Sequence, residues 1–131
     1  MGKNLVTRHL NSAPDAIAPD GSEVRSLAAT ARGSMAQFRL PPGGISIAVT
    51  HRSVEEVWCF TAGTGRLWRK CAEAEEVTAV HAGVSIAILP RTRFQFRNDG
   101  DTPLEALGVT MPPWPGPDEA VAVAGIWVSR K

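Results

Sequence analysis

The chain has 131 residues, a length that suits one domain built on a single hydrophobic core. Fourteen Lys and Arg stand against thirteen Asp and Glu, a formal net charge of +1, and the basic residues are dispersed. That balance argues against nucleic acid and membrane surfaces as partners, and no apolar run is long enough to cross a bilayer.

Residues 1–20 form a polar N-terminal arm with no helical period, and residues 21–131 a single domain. The opening MGKNLVTRHL has no apolar stretch of signal-peptide length. Val6 stands where an N-myristoylation site following Gly2 requires Ser or Thr, so that modification is not expected. The two cysteines, Cys59 and Cys71, are read as reduced thiols, and the expected location is cytoplasmic. Within the arm, PDGS is a turn signal, the short AIA patch can pair at a sheet edge or on a partner subunit, and His9 is expected in solvent.

EVRSLAA (23–29) and SMAQFRL (34–40) predict strands, with Ala36, Phe38 and Leu40 as the buried set of the second. PPGG at 41–44 is a turn. In the stretch Gly43 to Gly63, Ile45, Ile47 and Val49 alternate with Ser46, Ala48 and Thr50, and His51 continues in phase with Val49. Arg52 to Glu55 make a charged bend, after which Glu56, Trp58 and Phe60 share a face. RLWRK (66–70), EVTAVHAG (76–83), VSIAIL (84–89) and FQFRN (94–98) read as further short strands, with His81 at a loop and LEALGVTM (104–111) as the last barrel strand. PPWPGPDEA has too many prolines for regular structure. VAVAGIWV (121–128) is an apolar run, either a strand or a segment laid across the barrel. Short strands at regular spacing without a long amphipathic helix predict an all-β sandwich or barrel.

Two stretches carry a family resemblance. Gly43, Val49, His51, Glu56 and Gly63 follow the spacing G-x5-H-x-H-x4-E-x6-G, and Gly83, Leu89, Arg91, Phe94 and Asn98 follow G-x5-P-x-G-x2-H-x3-N. In spacing and order these resemble the paired motifs of the cupin superfamily, over roughly residues 34–112. The resemblance implies a double-stranded β-helix, a jelly-roll barrel. It also implies a metal held by the histidines and glutamate of the motifs, and here the sequence departs. His51 and Glu56 are kept, but Val49 and Phe94 occupy the other two ligand positions, Leu89 replaces the motif proline, and Arg91 replaces its glycine.

With the motif phase, Val49, His51, Glu56, Trp58, Phe60, Phe94 and Phe96 face the barrel interior, while Gln95 and Arg97 face away. A mononuclear metal site takes three or four protein ligands, so His51 and Glu56 alone make a weak one unless Gln95 or Glu55 joins them. The reading is therefore a small-molecule-binding protein without a cofactor. Its pocket is floored by Trp58, Phe94 and Phe96, walled by Val49, with His51 and Glu56 as polar groups. Glu56 is expected either to touch His51 or to stay wet through an open mouth. A divalent transition metal on His51 and Glu56, serving a dioxygenase- or isomerase-type enzyme, is the second reading. A structural dimer with a filled barrel, in which the two side chains only satisfy each other, is the third. Arg91, Arg93 and Arg97 either clamp an anion or form a solvated corner, and Trp114 and Trp127 cap the barrel or cover a dimer seam. A homodimer is expected in each case.

Overall fold

A computed structural model describes residues 5–130. Gly2, on which the myristoylation question turns, and the first residues of the arm lie outside the described residues. The strands are β1 (Ala16–Ile17), β2 (Glu23–Ala29), β3 (Ser34–Leu40), β4 (Val49–His51), β5 (Glu55–Ala62), β6 (Thr64–Lys70), β7 (Glu75–His81), β8 (Ser85–Ile88), β9 (Arg93–Asn98), β10 (Leu104–Met111) and β11 (Ala120–Ala122). One turn of 3-10 helix, Pro117–Glu119, precedes β11. No helix among the described residues is long and apolar enough to cross a membrane.

All pairings are antiparallel. One sheet runs β1-β2-β3-β10-β5-β8 and the other β11-β4-β9-β6-β7. Strict alternation fixes which face of each strand turns inward. Along β5, Glu56, Trp58 and Phe60 are buried while Glu55, Val57 and Cys59 are exposed; along β10, Leu104, Ala106, Gly108 and Thr110 are the buried set. The inner faces meet in one core that draws on both sheets, with Leu40, Trp58, Phe60 and Leu104 from one and Leu67, Val80, Phe94 and Phe96 from the other. Each of these large side chains contributes on the order of 2 to 3 kcal/mol by leaving water. The architecture is the expected double-stranded β-helix.

Several local expectations need correction. The run from Ile45 to His51 is a strand only over Val49–His51, and Ile47 points to solvent instead of sharing a buried face with Ile45 and Val49. The reason is long-range. Ile45 N–H donates to the Arg130 carbonyl, Ser46 N–H to that of Phe96 (2.9 Å) and Ile47 N–H to that of Asp20 (2.8 Å), so three different segments pull the backbone out of a ladder. Ala36 and Phe38 do face inward but are only half-buried, because the space beside them is open. Trp68, out of phase with Leu67, is buried as well, its indole N–H donating to Glu75 at 2.8 Å. The proline-rich stretch after β10 is not wholly irregular, since it contains the 3-10 turn and leads into β11.

Gln95 faces away from the core, as the phase requires, yet it is fully buried. Its Nε2 donates to the carbonyls of Ser46 (2.9 Å) and Trp127 (2.7 Å), and its Oε1 accepts the N–H groups of Ile126 (3.1 Å) and Trp127 (3.0 Å). It thereby fastens the C-terminal segment across the outside of β9. Trp127 also sits under the guanidinium groups of Arg66 and Arg97, which share Asp99. Arg91 and Arg93 are exposed, so the three arginines of the corner do not converge on one point. In the arm, β1 pairs with β2 at the sheet edge, and Arg25 of β2 donates to the carbonyls of Asn11 (2.9 Å) and Ser12 (2.8 Å). His9 is exposed, as are the unpaired Cys59 and Cys71.

Candidate functional site

A cavity of about 670 Å³ opens at one end of the barrel between the inner faces of the sheets and the arm. Val49, His51, Glu56, Trp58 and Phe94 all line it. Phe96 does not. It lies in the core, its ring 5.3 Å from that of Trp58 and edge-on to it, and supports the floor from behind.

Trp58 is the centre of the floor. Its ring stacks on Phe38 at 4.9 Å and meets Phe94 edge-on at 5.8 Å. Gly108, opposite Trp58 on β10 and opposite Ala36 of β3, makes the stack possible. A Cβ there would come within 2.6 Å of the Phe38 ring and 2.9 Å of the Trp58 ring.

Glu56 is 3% exposed. Strand geometry supplies both of its partners. Trp58, two residues on along the same face, donates its indole N–H to Oε1 at 2.8 Å, and Thr110, directly across on β10, donates its hydroxyl to Oε2 at 2.6 Å. Burial pushes the Glu56 carboxyl up; the bonds to Thr110 and Trp58 oppose this, and the carboxylates of Asp20 and Glu119 add to it. Glu56 therefore neither touches His51 nor depends on water alone.

His51 ends β4 and is 5% exposed. Its backbone carbonyl accepts the N–H of Arg91 (2.8 Å). Its ring lies edge-on between Phe94 and Trp114, 5.1 Å from each. Nδ1 is enclosed without a hydrogen-bond partner. Burial lowers its pKa from 6.5 to about 4, against a smaller upward pull from Glu119, so the imidazole is neutral at physiological pH. Glu119 itself accepts the N–H groups of Ser53 (2.6 Å) and Val54 (2.9 Å) and the Ser53 hydroxyl (2.8 Å). Burial pushes that carboxyl up, but these bonds and His51 outweigh it and hold the group below its usual value.

Three contributors escaped the reading of the sequence. Asp20 lines the cavity from the end of the arm, buried, with Oδ1 accepting the N–H (2.9 Å) and hydroxyl (2.6 Å) of Ser22. Burial raises its carboxyl too, against those bonds. Its PDGS context signals a turn but not the long-range contact to Ile47 that brings it inward. Thr110 could have been found from the cross-strand register opposite Glu56. Trp114 was legible only as a cap, and its place beside His51 is set by its N–H bond to the Ser34 hydroxyl at 3.0 Å.

The residues at the motif's ligand positions do not fit a protein-held metal. Among the described residues no group of three or more His, Cys, Asp or Glu side chains is placed to hold one. Val49 and Phe94 have no donor atoms, both oxygens of Glu56 already accept hydrogen bonds, Glu55 is exposed, and Gln95 is committed to the C-terminal segment on the far face. At the second motif's glycine position the backbone is retained although the residue is not. Arg91 adopts φ 66°, the left-handed conformation that glycine takes without cost.

Comparison with known proteins agrees with this architecture. Solved structures similar to this one include a predicted oxalate decarboxylase from Thermotoga maritima, at 20% identity and a TM-score of 0.65, with 82% of this chain and 99% of that one covered. An uncharacterized conserved protein with a double-stranded β-helix domain from Klebsiella pneumoniae matches at 14% identity and 0.65, covering 95% of this chain and 100% of that one. The Bacillus subtilis oxalate decarboxylase, a protein with Mn(II) centres, matches at 17% identity and 0.70 over 86% of this chain. This chain spans only 30% of that enzyme's length. Residues 36–110 match the family model described as Cupin domain, and with more than half of its length so matched the chain belongs to the cupin family.

Proposed function

We propose that the protein binds a small organic molecule in the barrel-mouth cavity and does so without a complete metal site. The supporting observation is an open, largely apolar cavity of about 670 Å³, floored by Trp58 and Phe94, that contains the buried, unpartnered imidazole of His51. Its size lies within the range of small-molecule pockets. Binding is favoured over turnover because His51 and Glu56 do not hydrogen-bond each other, so Glu56 does not orient the imidazole. Oxalate, the substrate named for two similar structures, suits these walls poorly. The carboxyl groups of Glu56 and Asp20 would repel a dianion, and no salt bridge to Lys or Arg offsets either of them among the described residues. The exposed, unpaired cysteines fit a reducing, cytoplasmic setting.

The test is a titration of the purified protein with compact aromatic probes, followed by tryptophan fluorescence and calorimetry. Trp58 and Trp114 both line the cavity, so Trp58→Phe and Trp114→Phe should each remove part of a saturable signal. Ala36→Phe, which fills the space from β3, should abolish binding. If no probe gives a saturable heat, or if Ala36→Phe binds as well as the parent, the reading fails.

A further inference from the structure

Two of the polar groups that line the cavity are carboxyls. Glu56 presents a carboxyl group, Asp20 a second, and His51 is a neutral imidazole whose Nδ1 has no hydrogen-bond partner, 5% exposed, against the same space. All three can accept a hydrogen bond. Donors are scarce. The Thr110 hydroxyl is already directed at Glu56, and Arg8, the one Lys or Arg side chain that lines the cavity among the described residues, sits exposed on the arm where solvent screens it. Neither buried carboxylate has a Lys or Arg salt-bridge partner among the described residues. Around them stand Trp58, Phe94 and Trp114, whose ring faces attract cations.

We infer that the ligand is an organic ammonium, a protonated amine on an apolar body, with its charge set against Glu56 and Asp20 and its body against Trp58, Phe94 and Trp114. This rests on the binding reading above and goes beyond it by fixing the sign of the ligand's charge. A neutral ligand leaves two buried carboxyls facing each other's field without compensation, and an anion worsens it. An ammonium supplies the missing countercharge.

Three probes of similar size and shape separate the possibilities by calorimetry on the full chain in mildly alkaline buffer: phenethylamine, phenethyl alcohol and hydrocinnamate. Phenethylamine should bind at least about tenfold more tightly than the alcohol, with hydrocinnamate the weakest. In Glu56→Gln the amine-to-alcohol ratio should collapse toward unity, and in Asp20→Asn it should fall part of the way. Both replacements keep the shape, although Gln at 56 can accept from only one of Trp58 and Thr110, and thermal unfolding checks that they fold. Should the alcohol bind as tightly as the amine, the cation inference is overturned while the binding reading stands. Should none of the three bind, both fall. A preference for the amine that survives both substitutions would overturn the assignment of these carboxylates.

Discussion

At the scale of single residues, His51 should govern the acid side of the stability curve. Its pKa is about 4 in the folded chain and near 6.5 when unfolded, so between those values the unfolded state binds more protons. Stability conferred by the neutral buried ring is thus complete above about 6.5 and is lost as pH falls toward 4, a difference on the order of 3 kcal/mol. The carboxyls of Glu56 and Asp20 act in the opposite sense, because groups raised on folding bind more protons in the native state and withdraw stability as pH rises through their folded values. Denaturant unfolding at a series of pH values should show the acid-side slope in the parent and not in His51→Phe, whose ring joins Phe94 and Trp114. An identical slope in the two proteins would mean that the imidazole is not held neutral. The same two residues carry an expectation about metal. With Val49 and Phe94 at the other ligand positions and both Glu56 oxygens engaged, elemental analysis of the purified protein should find far less than one transition metal per chain. Near-stoichiometric iron, nickel, manganese or zinc that disappears in His51→Ala would contradict it.

At the scale of elements, the bounds of β2, β3 and β10 were legible from the sequence because turn residues flank them, but only β10 alternates strictly between a buried and a wetter face. The segment before β4 was not, since its conformation is decided by Asp20, Phe96 and Arg130, far away in the chain. Motif spacing brought Val49, His51, Glu56, Trp58 and Phe94 to one cavity, but it could not reveal Asp20 or Trp114, which arrive there from segments outside the motifs. Gln95 shows the same limit. Pattern placed it on the outer face; only the C-terminal segment makes that face buried. Its four hydrogen bonds should make it a fastening point, so Gln95→Ala should cost about 2 to 3 kcal/mol in denaturant unfolding. It should also speed amide exchange at Ile126 and Trp127 while the amides of β10 stay protected. Unchanged exchange at those two amides would show that the stacking of Arg66 and Arg97 on Trp127 suffices alone.

At the scale of the whole molecule, the edges of the sheets bear on association. The six-stranded sheet ends at β1, a strand of two residues, and Ile17 on that strand is exposed together with Leu5, Val6 and Leu10 of the arm. Exposed apolar side chains beside a sheet edge invite association with another chain. A closed two-fold arrangement allows the same surface to serve both partners. We therefore propose a homodimer in which the arm of one protomer lies against its partner. The arm also carries Asp20 and Arg8, which line the cavity, so dimer formation would steady one wall of the binding site. Light scattering at micromolar concentration should give twice the mass of one chain. Ile17→Asp, which places a charge on the edge strand without touching the core, should shift the mass toward one chain while leaving the unfolding transition cooperative. A single-chain mass for the parent protein would rule the dimer out, and a dimer indifferent to Ile17→Asp would move the interface to another face.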